Sequence, residues 1–218
     1  MRSWDRRTRL ALKFELVTML RSSELLGAHR DELFDLDADK PRFDVPLKRV
    51  KKRRVIQQPL SDLAVDLIKE ALRGSNKQYV FASPLGDHPL HRKAMADALR
   101  GDKRKGKVRT LGICQLLGLK PFTPHDLRRT GATLAGDLGF DDAWIAKCLD
   151  HAASKNSEQI VPTVTGKVYN HSKRMKEKRA VLDGVAAELR RIVGAPVAKA
   201  LGQAGPTARR LIAYADRL

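Results

Sequence analysis

Residues 32–61 alternate apolar and polar side chains, whereas the stretches on both sides space their apolar residues as helices do. Alternation with a period of two is typical of strands that bury one face. Three such strands are predicted, at Leu33–Asp37, Arg42–Leu47 and Val55–Leu60, with a turn over Asp37–Pro41. Strands so short and so close in sequence pair most simply in antiparallel fashion. The alternation therefore restricts the fold to one that contains a small antiparallel sheet.

Helical spacing dominates the rest of the chain. Ser61 and Thr123-Pro124 are predicted to begin helices, because hydroxyl side chains cap helix N-termini and proline is tolerated in the first turn. The predicted helices cover 8–28, 61–74, 91–100, 108–118, 123–139, a segment after Asp141 or Asp142, 165–173, 181–193 and 208–218. The predicted fold class is mainly α with a small antiparallel three-stranded sheet (α+β). Residues 1–193 are expected to form one domain, followed by a helical tail over 194–218, and the basic linker 101–107 is expected to be mobile.

The chain carries 43 Lys and Arg against 25 Asp and Glu, a net charge of +18. Such an excess indicates a polyanionic partner and favours nucleic acid over an acidic membrane.

The two cysteines, Cys114 and Cys148, lack CxxC spacing and are predicted to be buried thiols in a reducing compartment. No apolar run approaches the roughly 20 residues of a membrane span. We therefore expect a cytoplasmic, nucleoid-associated protein with no membrane partner.

Four residues carry the chemical signal. His125 and Arg128 lie three residues apart on a predicted helix, so their side chains share one face. His151 and Tyr169 follow on later segments, and no metal-ligand spacing accompanies the four. Arginine binds phosphate bidentately, histidine can hydrogen-bond or move a proton, and tyrosine can attack phosphorus. The set is therefore suited to a phosphodiester, in keeping with the basic composition.

The segment 123–130 (TPHDLRRT) resembles the signature of the tyrosine recombinases, the phage integrase family. Further segments resemble motifs of that family, in the order in which the family has them. They are Leu20–Gly27 for the first arginine, Val50–Arg54 with Gln58–Ser61 for the β-hairpin lysine, Leu149–His151 for the second histidine and Val164–Asn170 for the nucleophile. The resemblance spans roughly residues 10–190.

The resemblance implies a catalytic domain that breaks and rejoins DNA through a 3′-phosphotyrosine intermediate, with no metal, ATP or other cofactor. The implied catalytic residues are Arg21, Lys51, His125, Arg128, His151 and Tyr169. The two arginines would hold the phosphate and Tyr169 would attack it. His125 would act as base or hydrogen-bond donor, and His151 would hold a non-bridging oxygen or orient the tyrosine. Lys51 is the first candidate to protonate the leaving 5′ oxygen, and the adjacent Lys52 stays open.

Double-stranded DNA is the implied partner, bound as a homotetramer by a protein that is monomeric in isolation. The expected DNA contacts are Lys48, Arg49, Lys52, Arg53, Arg54, Lys103, Arg104, Lys105, Lys107, Arg129, Lys173 and Arg174.

The chain departs from the family in three respects. Asp150 stands where a glycine usually precedes the second histidine, a polar stretch lengthens the interval from His151 to Tyr169, and the usual N-terminal DNA-binding domain is expected to be absent.

Three other functions stay open on the sequence. The segment Asp126–His151 could form a helix-turn-helix, so the chain could be a non-catalytic DNA-binding module. That interpretation gives no reason for Arg21, Lys51 and Tyr169 in their places. A truncated, inactive integrase would only bind DNA. A type IB topoisomerase would share the chemistry and relax DNA without sequence choice, but the short chain and the integrase-like motifs disfavour it.

Overall fold

The computed structural model describes residues 4–51, 54–104, 107–150 and 173–194, with the backbone alone at 103, 104 and 107–109. Its helices are α1 Arg6–Thr18, α2 Ser22–Leu25, α3 Asp62–Leu72, α4 Arg92–Arg100, α5 Ile113–Leu116, α6 Pro124–Asp137, α7 Asp142–Cys148 and α8 Met175–Gly194. Its strands are β1 Leu33–Phe34, β2 Arg42–Val45, β3 Ile56–Pro59, β4 Asp102–Arg104 and β5 Lys107–Thr110. This part of the chain is mainly helical with a small three-stranded sheet, which confirms the predicted α+β class.

Strands β1, β2 and β3 form one antiparallel sheet in sequence order. Leu33 pairs with Phe43, which pairs in turn with Gln58 on the other side. Phe43 and Val45 of β2 are fully buried while Arg42 and Asp44, which alternate with them, are half-buried. This is the alternation expected from the sequence. The predicted sheet is confirmed, with strands shorter than the pattern indicated.

Helix α1 connects the sheet to the helix that carries His125 and Arg128. Phe14 of α1 packs against Phe43 of β2 and Phe81 of the loop after α3, with ring centroids 6.4 and 5.4 Å apart. Helix α1 also lies against α6. Gly131 of α6 makes that approach possible, because a Cβ there would lie 2.6 Å from the carbonyl oxygen of Leu16. The two backbones can meet so closely only where one residue has no side chain.

Three helices begin at the capping residues that the sequence predicts. Ser61 before α3 and Asp141 before α7 each accept a hydrogen bond from a backbone N–H in the first turn. Thr123 before α6 donates its backbone N–H and its hydroxyl to the carboxylate of Asp126. Each cap satisfies polar groups that a helix end leaves without a helical partner. Helix α8 begins earlier than predicted, at Met175.

Two predicted helices and one predicted linker are wrong. The helix over 8–28 ends at Thr18, because the buried Met19 takes a left-handed conformation with φ of 55°, and the chain resumes a helix at α2. The helix over 108–118 is replaced by strand β5 and the single turn α5. The linker over 101–107 contributes to a hairpin, in which β4 pairs antiparallel with β5. In each case burial or pairing with another segment overrides the local spacing.

Cys114 and Cys148 are both buried and free of disulfide bonds, as predicted. Within the described ranges, no helix is both long and apolar enough to cross a bilayer. Apart from Lys173, the predicted helices at 165–173 and 208–218 fall outside the described residues. The domain limit between residues 193 and 194 stays a prediction.

Candidate functional site

The break between α1 and α2 places Arg21 at the surface of the candidate site. Arg21 directly precedes α2 in an extended conformation, with φ of −75° and ψ of 149°. Its backbone N–H donates to Oε2 of Glu24 at 2.8 Å, and its Nη1 donates to Oε1 at 2.6 Å. The Glu24 side chain is 1% exposed, whereas that of Arg21 is 31% exposed. A buried carboxylate therefore holds one end of a guanidinium that faces solvent.

Arg128 of α6 reaches the same carboxylate from the protein interior. Its side chain is 2% exposed, and its Nη1 lies 3.8 Å from Oε2 of Glu24. Nη1 donates to the carbonyl oxygen of Met19 and Nη2 to that of Leu149, both at 2.5 Å. Burial, and after it the charge of Arg21, lower the Arg128 pKa to about 10, so the group is charged at neutral pH. Its guanidinium is fixed by the α1–α2 break on one side and the end of α7 on the other.

Glu24 is absent from the predicted site residues, yet it contacts both arginines. It lies three residues after Arg21, the spacing at which an acidic side chain in the first helical turn reaches back to the residue that caps the helix. That spacing, together with a charge directly before the apolar pair Leu25-Leu26, is the signal that the sequence offers. Two guanidiniums repel each other, and a buried carboxylate that pairs with both reduces the repulsion. Glu24 therefore allows Arg21 and Arg128 to share one small region.

His125 lies one turn before Arg128, at the exposed start of α6. Partial burial lowers the His125 pKa below its ordinary 6.5, and the charges of Arg128 and Arg129 lower it further, against the opposing effect of Asp126. The imidazole is therefore neutral at pH 7 and able to accept a proton. The charge of Arg21 also acts on this ring. Arg21, which is distant in sequence from His125 and Arg128, thus lies close to both of them.

A depression of about 500 Å³ adjoins His125. Its walls come from the starts of α2, α4 and α6, and they include three basic side chains, His91, Arg92 and Lys93. These three are not among the predicted site residues, and the His-Arg-Lys run before the α4 apolar pattern is the signal for them. Helix N-termini and basic side chains both attract anions. Arg92 and Lys93 extend the positive character of the site beyond the two arginines.

Glu15 is a second buried carboxylate close to the arginines, and it too is absent from the predicted site. It is fully buried, and the Ser22 hydroxyl lies 2.9 Å from its Oε2 and 3.1 Å from its Oε1. Burial raises the Glu15 pKa from 4.5 to about 7, and the hydrogen bond from Ser22 and the charge of Arg128 offset only part of this effect. The signal in the sequence is an acidic residue inside the apolar run Phe14–Val17. Glu15 consequently titrates near neutral pH.

Replacing Glu15 with glutamine is expected to change how stability depends on pH. The unfolded chain loses the Glu15 proton near pH 4.5 and the folded chain only near pH 7, so this group makes the wild type less stable as pH rises through that window. Glu15→Gln removes the titration. It should therefore gain on the order of 2 kcal/mol in unfolding free energy relative to wild type between pH 5 and pH 8. Urea unfolding of both proteins at the two pH values measures the change.

Glu70→Gln is the matched control for this experiment. Glu70 forms a surface ion pair with Arg6 and is 45% exposed, so the variant should keep the pH dependence of the wild type. If Glu15→Gln also keeps that dependence, then Glu15 is already ionised in the folded protein at pH 5 and the prediction is wrong.

The predicted lysine lies in the connection between β2 and β3. Lys51 and Lys48 are exposed there. Arg49 differs from them, because it forms an ion pair with Glu32 at 2.5 Å and lies over the ring of Phe43, with 5.8 Å from Cζ to the ring centroid. Such packing is typical of a structural arginine. Of these three basic residues, Lys51 and Lys48 are the ones accessible to a large ligand.

Four other predicted DNA contacts touch protein groups at the surface. The pairs are Arg54 with Asp150, Arg129 with Asp126, Lys173 with Gln57 and Arg174 with Glu177. The basic side chains of all four remain substantially exposed. Exposed ion pairs contribute little free energy. Arg129, Lys173 and Arg174 can therefore exchange a protein acceptor for a phosphate oxygen, whereas Arg54 would bind phosphate without leaving Asp150, which is only 13% exposed.

Several predicted site residues are not described. Lys103, Arg104 and Lys107 lie on the β4–β5 hairpin, where only the backbone is described. His151, Tyr169, Lys52, Arg53 and Lys105 lie outside the described residues. The structure thus brings Arg21, His125 and Arg128 together and locates Lys51, while the roles of all the predicted site residues stay predictions.

One comparison with known proteins identifies a relationship. A family model described as the phage integrase family matches residues 2–174, which is most of the chain and includes all six predicted catalytic positions. None of the curated proteins matches the chain. The match therefore rests on the pattern of the family as a whole.

Proposed function

The chain belongs to the phage integrase family, and on this basis we propose that it is a tyrosine-type recombinase that cleaves and rejoins DNA at specific sites through a 3′-phosphotyrosine. Membership by itself implies recombinase or integrase function and DNA binding in general terms. The proposal of site-specific cleavage through a phosphotyrosine is supported by the pairing of Arg21 and Arg128 with Glu24, beside a neutral His125. This arrangement is suited to a phosphodiester that gains negative charge as it reacts.

The two arginines would stabilise that added charge. A phosphodiester carries one negative charge and the pentavalent transition state carries more, so donors fixed beforehand at its non-bridging oxygens lower the barrier. Arg128 is fixed by its two carbonyl partners. Arg21 is more exposed, so an incoming phosphate can replace part of its contact with Glu24. Guanidinium suits both positions because it keeps its charge when buried and presents paired N–H groups to two oxygens.

Cleavage would proceed by substitution at phosphorus. The phenol oxygen of Tyr169 forms a bond to phosphorus while the phenol proton passes to the neutral His125, and His151 holds a non-bridging oxygen. The bond from phosphorus to the 5′ oxygen breaks, and Lys51 donates a proton to that oxygen. The products are a 3′-phosphotyrosyl ester and a free 5′-hydroxyl. Attack on the ester by a second 5′-hydroxyl reverses the step and exchanges strands, so the reaction requires neither ATP nor a metal ion.

The partner in this proposal is double-stranded DNA, held through its phosphates by the exposed basic groups around the site. Lys48, Arg54, Arg129, Lys173 and Arg174 would contribute, together with the basic depression at the start of α4. Exchange between two duplexes cuts four strands, and each cut consumes one tyrosine. We therefore expect monomers that assemble as a homotetramer on DNA, in the cytoplasm and on the nucleoid.

Trapping the covalent intermediate tests the proposal. The 218-residue chain is incubated with a pool of nicked duplexes of randomised sequence, and the mixture is denatured in SDS. A nick lets the short cleaved fragment leave, so the ester accumulates. We expect an SDS-resistant adduct whose captured DNA shares a common sequence and whose modified peptide contains Tyr169.

Other outcomes separate the alternatives. DNA binding without any adduct would indicate a non-catalytic DNA-binding module or an inactive integrase. Adducts with DNA of unrelated sequences, together with relaxation of supercoiled plasmids, would indicate a type IB topoisomerase. Either result overturns the proposed function.

A further inference from the structure

Asp150, at the end of α7, takes a backbone conformation that favours glycine. Its φ is 48°, in the left-handed region, where a side chain crowds the backbone and where asparagine and aspartate are the best tolerated residues after glycine. The resemblance to the integrase family also places a glycine at this position. Strain of this kind persists where the side chain has contacts that hold it in place. Contacts of the Asp150 carboxylate are therefore expected to hold the residue in this conformation.

The Asp150 carboxylate binds the segment that carries the candidate general acid. Nη2 of Arg54 donates to Oδ1 of Asp150 at 2.5 Å and to its backbone carbonyl oxygen at 3.2 Å. Arg54 lies three residues after Lys51, in the same β2–β3 connection. The Asp150 side chain is only 13% exposed, and its Oδ2 is buried with no hydrogen-bond partner in the described ranges. In the described part of the chain, the ion pair with Arg54 is thus the main contact between this carboxylate and the β2–β3 connection.

Asp150 also acts on the other side, toward the phosphate-binding arginine. Its charge raises the pKa of Arg128, against the stronger lowering caused by burial, and it does the same for the buried Lys178 of α8. The carbonyl oxygen of the preceding Leu149 accepts a hydrogen bond from Arg128. Two adjacent residues at the end of α7 therefore bind Arg128 and Arg54. They form a short bridge between the buried Arg128 and the half-exposed Arg54.

We propose that Asp150 and Arg54 are positioning residues. They fix the position of Lys51 relative to Arg128, so that the Lys51 ammonium meets the leaving 5′ oxygen. The inference rests on the proposed function. In the step concerned, the bond from phosphorus to the 5′ oxygen breaks, and a proton moves from Lys51 Nζ to that oxygen. Asp150 and Arg54 take no part in the bond changes. At saturating protein, where the Arg54 phosphate contact does not limit the rate, their loss therefore harms only the delivery of the proton.

A change of leaving group isolates that proton transfer. A DNA strand with sulfur in place of the bridging 5′ oxygen releases a thiolate, which is a good leaving group without protonation because thiols are far more acidic than alcohols. A defect in general acid catalysis should therefore disappear with the sulfur substrate. A defect in folding, DNA binding or the arginine clamp should remain with both substrates.

The experiment compares single-turnover cleavage of oxygen and sulfur substrates, at saturating protein, on the sequence captured by the wild type. Asp150→Gly and Arg54→Ala are expected to slow cleavage of the oxygen substrate by about 10- to 100-fold. With the sulfur substrate both should cleave within about threefold of wild type, as should Lys51→Ala, the reference for a lost acid. Asp150→Gly should bind DNA at least as tightly as wild type, because it removes a negative charge.

Arg190→Ala is the matched control for Arg54→Ala. Arg190 is 46% exposed and pairs with Asp66, much as Arg54 is 47% exposed and pairs with Asp150, and the variant should cleave both substrates like wild type. Equal losses on the two substrates for Asp150→Gly, or no loss on either, would overturn the inference while the proposed function stands. Failure of the wild type on both substrates would overturn the proposed function and the inference with it.

Discussion

Arg128→Ala is expected to lower the unfolding free energy by about 3–5 kcal/mol and to slow strand cleavage by at least about 100-fold. The variant removes one of the two arginine partners of the buried Glu24, and it leaves the carbonyl oxygens of Met19 and Leu149 without their donor. Buried groups that lose a charged partner are strongly destabilising. Urea unfolding measures the first effect, and single-turnover cleavage of the captured DNA measures the second.

Two further variants separate stability from catalysis at this position. Arg128→Lys keeps a positive charge near Glu24 but loses the planar fork, so it should recover part of the stability and still cleave poorly. Arg129→Ala is the stability control, because Arg129 is 71% exposed in a surface pair with Asp126 and should change the unfolding free energy by less than about 0.5 kcal/mol. Equal stability of Arg128→Ala and Arg129→Ala would show that Arg128 is not the counter-ion of a buried carboxylate.

Tyr169→Phe is expected to abolish the covalent DNA adduct and to leave DNA binding within about twofold of wild type. The substitution removes only the phenol oxygen, which is the atom that attacks phosphorus in the proposed reaction. An ordinary phenol has a pKa near 10 and is a weak nucleophile at neutral pH, so the reaction depends on the cationic site to stabilise the phenolate as it forms. SDS gel electrophoresis with labelled DNA measures the adduct, and equilibrium titration measures binding.

Tyr79→Phe is the matched control for the nucleophile. Tyr79 packs edge-on against His29, with ring centroids 5.3 Å apart, and phenylalanine preserves that contact. The control should form the adduct as wild type does. An adduct that survives in Tyr169→Phe would assign the nucleophile to another residue, which the modified peptide would identify.

The parts of the fold that could be predicted from the sequence are those decided locally. Residues 32–61 indicate the sheet because β2 buries alternate residues, and Ser61, Thr123 and Asp141 mark helix starts because their side chains hydrogen-bond to groups in the first helical turn. The break at Met19 could not be predicted in this way. Its left-handed backbone is stabilised by burial of the side chain against distant residues. The β4–β5 hairpin likewise depends on pairing, which outweighs the weak propensity of a four-residue segment.

Some residues of the candidate site could likewise be predicted from the sequence, and others could not. Arg21, His125 and Arg128 could be proposed from motif order, and the structure places them together. Glu15 and Glu24 could not be assigned, because their effect on the arginines comes from burial, and an acidic residue in a helix is more often exposed. Asp150 is visible in the sequence as a departure from the family pattern. Its link to Arg54 joins residues 96 positions apart, and no local pattern reports such a contact.

Gly131 carries no functional group, but it governs how closely Arg128 approaches the α1–α2 break and Arg21. Helix α6 brings Arg128 to the α1–α2 break only because nothing separates the two backbones at this residue. A methyl group at this position would push α1 and α6 apart. It would thereby move one arginine away from the other, although it would contact neither. The distance between the two arginines thus depends on a residue whose side chain is a single hydrogen atom.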